Sequence, residues 1–225
     1  IASIARKVVK ELLTKDNECV ELTQANLKDY AGVQKYSYGV AEKTDQVGIT
    51  TGLAWTEVGG DILSIEALTM PGKGKHTLTG QLGDVMKESI QAAYSFVRAH
   101  ASDFGISDDV FENKDVHIHV PEGAVPKDGP SAGITMCTAM LSSLTGRKVR
   151  HDVAMTGEIT LTGRVLPIGG LKEKSLAALR AGITTVIIPE ANRRDAEEMP
   201  EEIKKQIRFI PVSEYTQVAE VVFAE

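Results

Sequence analysis

Sulfur, tryptophan and long apolar runs are scarce in this chain of 225 residues. Its two cysteines, Cys19 and Cys137, lie far apart and outside any Cys-x-x-Cys spacing, which excludes a disulfide framework and a thiolate zinc site and fits a reducing, cytoplasmic setting. No apolar run approaches the roughly 20 residues that a membrane span requires, and no charged-then-apolar signal segment opens the chain, so no membrane partner is expected. Positive charge is not in excess either. With 25 Lys and Arg against 31 Asp and Glu, the net charge of −6 lacks the basic footprint of a nucleic-acid binder, although a local basic patch remains compatible with it. Internal repeats and low-complexity tracts are absent. The run Gly72-Lys73-Gly74-Lys75-His76-Thr77 lacks the Gly-x-x-x-x-Gly-Lys-Ser/Thr string that cradles phosphate, and it reads as a basic turn. What is there is ordinary core material: 42% hydrophobic against 25% charged residues suits one domain plus an appendage. The chain opens on Ile1, already in a helical pattern, so a piece of a longer polypeptide is expected.

Ile1, Ile4, Ala5, Val8, Val9, Leu12 and Leu13 repeat at helical spacing, which predicts an amphipathic helix to about residue 15; Arg6, Lys7, Lys10 and Lys15 read as its solvated face. Cys19–Leu22 is a candidate strand, and Thr23 would cap a short helix around Leu27 that ends at Tyr30-Ala31-Gly32. The polar, irregular stretch from Tyr36 to Asp45 is the expected linker. Beyond it, Val47–Glu57 and Ile62–Thr69 are β-rich runs around Gly59-Gly60-Asp61, a hairpin signal. A helix is predicted over Leu82–Val97 and a strand over Val116–Val120. An apolar helix should run from Ser131 to Leu144. A strand near Val153, a hairpin through Ile159–Val165, a helix over Leu171–Ala181 and a buried strand over 184–188 follow. Helices at 193–199 and 214–223 flank a last strand at 209–212. Strands, hairpins and helices in this mixture indicate an α+β or α/β fold with a mixed sheet.

Two segments carry chemistry. In Asp128-Gly129-Pro130-Ser131-Ala132-Gly133, small neighbours let the backbone turn sharply and let a carbonyl approach Ser131. A position at a helix start would also offer unpaired N–H groups to a developing oxyanion. The competing reading is that Ser131 is simply the helix N-cap. In Gly169-Gly170-Leu171-Lys172-Glu173-Lys174, a buried, neutral Lys174 could serve as the base that a serine nucleophile needs. Lys172 and Lys174 must point in different directions from one helix, and a cation near a helix start runs against the macrodipole. His117 and His119 share one face of a strand; with no third ligand at motif spacing they read as structural rather than metal-binding. Trp55 and Glu66 lie on the first hairpin, where core packing and a surface carboxylate compete with a role along a substrate channel.

Three longer segments, PKDGPSAG (126–133), MTGEITLTGRVLPIGGLKEK (155–174) and GLAWTEVGGD (52–61), resemble the corresponding parts of the bacterial ATP-dependent Lon proteases. The 43 positions between Ser131 and Lys174 match that family's spacing of nucleophile and lysine. The resemblance implies the Lon proteolytic-domain fold, of the ribosomal protein S5 domain 2-like kind. It makes residues 1–35 the C-terminal remnant of the small helical domain of an AAA+ module and residues 36–225 a Ser-Lys proteolytic domain. It assigns catalysis to Ser131 and Lys174, makes Asp128 and Thr156 candidates to position the lysine, and puts His119 near the site in a supporting role. An ionised Asp128 beside Lys174 would raise the lysine's pKa, so a structural or regulatory part suits it better.

The resemblance further implies protein and peptide substrates, including misfolded and short-lived regulatory proteins, and a homohexamer in the full-length enzyme. No cofactor is expected in this chain, since ATP and Mg2+ belong to the ATPase module, and any DNA contact would lie in other parts of the full-length protein. Two other classes stay open at this level. A Ser-Lys amidase or small-peptide hydrolase would share the pair of residues without the long collinear match. A non-catalytic assembly or DNA-binding module would bury Ser131 as a cap and point Lys174 to solvent.

Overall fold

The helical spacing of the opening segment produces a helix, α1, over Ala2–Thr14. A computed structural model describes residues 2–15, 19–32, 41–56 and 59–224, in two units, Ile1–Tyr38 and Gly39–Glu225. In the first unit α1 meets the short α2, Leu27–Ala31: the Tyr30 hydroxyl donates to Glu11 Oε2 at 2.6 Å and Lys7 Nζ to the Asp29 carbonyl at 2.9 Å. The strand expected at Cys19–Leu22 does not form, because four residues without a partner strand have no ladder to join. Thr23 is not the cap of α2. Asn26 holds the N-cap position, and its side chain instead accepts the Thr23 N–H at 2.8 Å and donates to the Glu21 carbonyl at 2.8 Å. Part of the expected linker, residues 36–40, lies outside the described residues.

The second unit is built on a seven-stranded sheet. In chain order its strands are β1 Ile49–Thr56, β2 Gly59–Pro71, β3 His76–Thr79, β4 Lys114–His119, β5 Val153–Met155, β6 Thr185–Pro189 and β7 Arg208–Val212. The spatial order is β7-β6-β5-β1-β2-β4-β3. Only β2 runs antiparallel to its neighbours β1 and β4; the other pairs are parallel. The fold is thus mixed α/β around a mixed sheet. The glycines expected to make the first turn lie inside β2, Gly59 opposite Thr56 and Gly60 opposite Trp55; Glu57 and Val58, at the end of the first expected run, are outside the described residues. The edge strand β3 carried no sequence signal, because four residues following a basic turn present too short an alternation to register.

That basic turn has a use. The N–H groups of Lys73 and Lys75 both donate to Asp115 Oδ1 at 2.8 Å, and these bonds hold the Asp115 carboxyl below its usual range. The turn therefore cradles a carboxylate of its own chain.

Helices cover both faces. On one lie α3 Asp84–Ala99, α4 Gly133–Thr145 and α6 Tyr215–Val222, packed with Ile65, Ile118, Val153, Met155 and Ile187. On the other, α5 Leu171–Arg180 packs with Leu53, Ala154, Val186 and Ile188. Burial from both sides is why β6 reads as an unbroken apolar run rather than an alternating one. α4 is buried continuously from Gly133 to Ser142, as a helix apolar on all sides must be. α6 starts with a capping box in which Glu214 and Gln217 satisfy each other's backbone N–H groups, a stop-start signal independent of the core.

Candidate active site

Ser131 does not cap α4. The helix begins at Gly133, Ala132 holds the N-cap position and no side chain caps it, so the helix opens two residues later than its apolar run predicts. Ser131 sits in a tight turn in which the Gly133 N–H donates to the Pro130 carbonyl at 3.1 Å. Its own carbonyl is fixed from the other side, by the Gly157 N–H at 2.8 Å and the Thr156 hydroxyl at 3.3 Å. With the main chain strapped in this way the hydroxyl is left to meet Lys174, whose Nζ lies 3.1 Å from Ser131 Oγ.

Lys174 arrives from the opposite face of the sheet, in the first turn of α5. Gly170, at φ 68°, makes the left-handed turn that starts this helix, a conformation that favours glycine. Leu171, Ala177 and Ala178 bury the inner face of the helix and carry the lysine inward, leaving it 2% exposed, whereas Lys172 faces solvent. The second partner of Lys174 Nζ is Thr156 Oγ1 at 3.0 Å. Thr156 is itself fully buried at the end of β5, its N–H held by the Ile187 carbonyl at 3.1 Å. Both partners of the amine are hydroxyls, and among the described residues no carboxylate pairs with it. Burial without a compensating anion lowers its pKa to about 8.

Lys174 Nζ donates to both Ser131 Oγ and Thr156 Oγ1, and the Thr156 hydroxyl donates to the Ser131 carbonyl. In the neutral amine the first of these contacts can reverse, with the Ser131 hydroxyl donating to the lysine lone pair. Ser131 and Ala132 also line a cavity of about 490 Å³, and among the described residues their backbone N–H groups make no hydrogen bond. A hydroxyl, a buried amine and two unspent donors thus meet at the wall of one cleft, an arrangement suited to acyl transfer.

Other expected site residues fall around this centre in different ways. Trp55 lines the same cavity and is 60% exposed, so it is not a core residue. Asp128 lines the cavity too, but its carboxylate does not reach the lysine. Its Oδ1 accepts the Met86 N–H at 2.9 Å, in the first turn of α3, and the Gly129 N–H at 2.8 Å; these bonds hold its carboxyl below the usual range. Its position is that of a helix cap supplied from a distant loop. Glu66 and His119 are opposite one another on β2 and β4, outside the residues that line the cavity. His119 Nδ1 and His117 Nε2 share the Thr79 hydroxyl, at 2.7 and 2.9 Å, and no metal-holding cluster occurs among the described residues. Sequence reasoning missed Leu53, Leu63, Met86 and the segment Pro167–Gly169, which complete the cavity wall. Their apolar types signal only burial, so nothing local distinguished a cleft wall from core.

Against known proteins, residues 21–225 match the family model described as the Lon protease (S16) C-terminal proteolytic domain. The chain is 59% identical over 225 residues to a Lon protease of Desulforamulus reducens, covering all of this chain and 28% of that protein. It is 60% identical over 222 residues to one of Vibrio parahaemolyticus, covering 98% of this chain and 28% of the relative, and 58% identical over 218 residues to one of Brucella suis, covering 97% and 27%. The chain therefore spans little more than a quarter of the length of these relatives, and no helix among its described residues is long and apolar enough to cross a membrane. It belongs to the family of the Lon protease C-terminal proteolytic domain.

Proposed function

We propose that this chain is the peptide-cleaving part of an ATP-dependent serine endopeptidase, with Ser131 as nucleophile and Lys174 as general base and acid. The observation that carries the reading is the 3.1 Å contact between Ser131 Oγ and a buried lysine that has no carboxylate partner among the described residues. With a pKa of about 8, about one lysine in ten is neutral at pH 7. The neutral amine takes the Ser131 proton as Oγ bonds to the scissile carbonyl carbon, and the N–H groups of Ser131 and Ala132 receive the oxyanion. Lys174 then returns that proton to the departing nitrogen as the C–N bond breaks. Water, deprotonated by the same lysine, attacks the acyl-enzyme and restores the serine. Thr156 holds the amine so that its lone pair stays aimed at Ser131.

Every group in this sequence of steps belongs to the chain itself, and no cofactor is assigned to it. We place ATP and Mg2+ in an ATPase module elsewhere in the longer protein, with residues 1–35 as the end of its small helical domain. The proteolytic domain, 36–225, takes the ribosomal protein S5 domain 2-like fold. The whole enzyme would act in the cytoplasm as a homohexamer on misfolded and short-lived regulatory proteins, and any DNA contact would come from its other parts. A serine-reactive peptide boronate provides the test. Mass spectrometry should locate the adduct on Ser131 and find none on a Ser131→Ala chain; an adduct on another serine, or none at all, would refute the assignment.

A further inference from the structure

A second cavity, of about 220 Å³, borders the turn that carries Ser131 and is lined by Val85, Glu88, Ser89, Ala92, Pro130, Glu158 and Ile159. Pro130 lines both this cavity and the 490 Å³ one. The shared residue is firmly held: Ser89 Oγ on α3 donates to its carbonyl at 3.2 Å. The Gly157 N–H, one residue before Glu158, is bonded to the Ser131 carbonyl at 2.8 Å. The second cavity is therefore walled in part by Pro130, the residue before Ser131, and by Glu158, the residue after the Gly157 that holds the Ser131 carbonyl.

The cavities differ in chemistry. The larger is closed by Leu53, Leu63, Met86, Ala132 and Ile168 and contains Lys174. The smaller carries two carboxylates, Glu88 and Glu158, and neither has a hydrogen bond or ion pair among the described residues. The nearest basic residue in sequence, Lys87, is engaged with Asp84 at 3.2 Å. Two unpaired carboxylates in a cavity that shares Pro130 with the larger one favour cationic over anionic groups there.

We propose that the smaller cavity receives the carboxyl-side segment of a bound peptide, the part that leaves as an amine, and that Glu88 and Glu158 favour lysine or arginine there. The inference rests on the Ser131–Lys174 reading above. Its direction follows from the order of the two half-reactions: the acyl fragment must stay seated while water replaces the departing amine, and apolar burial in the larger cavity provides that retention. The leaving fragment has no such need. It emerges with a new amino group, cationic at neutral pH, beside two carboxylates.

The test uses unstructured peptides that share an apolar residue before the scissile bond and carry Lys, Ala or Glu at each of the next positions, cleaved by the full chain and followed by mass spectrometry. Lysine should exceed alanine in kcat/KM by about fivefold, the scale of an exposed ion pair, and glutamate should fall below alanine. Added salt should narrow the spread, and the Glu88→Gln/Glu158→Gln double variant should bring the lysine-to-alanine ratio close to one. Equal rates for the three, a lysine preference confined to the amino side, or a preference that survives the double variant would overturn the proposal.

Binding of the same peptides to the Ser131→Ala chain, read from the fluorescence of Trp55, its sole tryptophan, separates the two readings. The expected binding order without any cleavage by the parent chain would keep the cavity assignment and sink the nucleophile. Cleavage without the order would do the reverse.

Discussion

Gly60 passes so close to Glu173 that a Cβ on the glycine would sit 1.9 Å from the Glu173 carbonyl oxygen and 2.9 Å from the Lys174 nitrogen. The start of β2 is thereby pressed onto the turn of α5 that carries Lys174, and the absence of a side chain at one position sets the depth at which that lysine enters the sheet. Gly60→Ala should push α5 outward. We expect a stability loss of about 1 to 3 kcal/mol, the range for overpacking, together with a fall in kcat/KM larger than the loss of folded protein accounts for. Urea unfolding and peptide hydrolysis on the same sample check it, and an alanine variant with normal activity would contradict this account of the lysine's placement.

The lysine pKa of about 8 predicts the pH dependence. In the proposed mechanism the protonated lysine cannot act as base, so kcat/KM should climb about tenfold per pH unit below that value and level off above it. Asp128→Asn should leave the midpoint in place, because the carboxylate bonds to the start of α3 and not to Lys174. A midpoint that drops by a unit or more in the asparagine variant would show that Asp128 charge had been holding the lysine proton. The same substitution should lower the melting temperature, with the difference from the parent chain shrinking as pH falls through the depressed carboxyl pKa and the parent loses its charge-assisted cap.

Lys174 also imposes a cost on folding. Its folded pKa lies below the ordinary value of 10.5, so between about pH 8 and 10.5 the unfolded chain binds more protons and stability rises with pH. At pH 7 the penalty is about 3 kcal/mol. Lys174→Met, which keeps the length and removes the charge, should abolish activity and, after the lost Thr156 hydrogen bond is allowed for, unfold at higher urea at pH 7. That advantage should fade toward pH 10.5. A methionine variant less stable than the parent at pH 7 would mean that the ammonium is better solvated than its burial indicates.

Thr156 touches both the Lys174 amine and the Ser131 carbonyl, so the proposed mechanism gives it a positioning role. Thr156→Val preserves its shape and removes the acceptor of the lysine N–H; roughly a hundredfold loss in kcat with little change in KM is expected from a misaimed base. Thr156→Ser, which restores the hydroxyl, should recover most of the rate. Equal damage by serine and valine would assign Thr156 a packing role.

Most elements were legible in the chain because their signals are local. The helical spacing of α1 and α3, the apolar length of α4, the buried run of β6 and the glycine start of α5 each lie within one turn or a few residues of the element they define. The failures have a common physical origin. Cys19–Leu22 has strand composition but no partner and His76–Thr79 has a partner but too little pattern, while the hairpin signalled at Gly59-Gly60-Asp61 does form between β1 and β2 with these residues opening β2, where close approach to α5 requires glycine at Gly60.

For the site, the sequence by itself determined the two reactive residue types, their separation in the chain and the small-residue setting of Ser131. Only the tertiary structure decided what surrounds them. Whether the Ser131 hydroxyl caps a helix or meets Lys174 depends on a strap from Gly157 and Thr156, residues distant in sequence. Solvated charge and buried base differ solely in which face of α5 meets the sheet. The Asp128 carboxylate, three residues from the nucleophile, was drawn to the unpaired N–H groups of α3 rather than to the lysine. Protonation and hydrogen bonding follow from what surrounds a group in space, and those surroundings are assembled from segments that the chain order keeps apart.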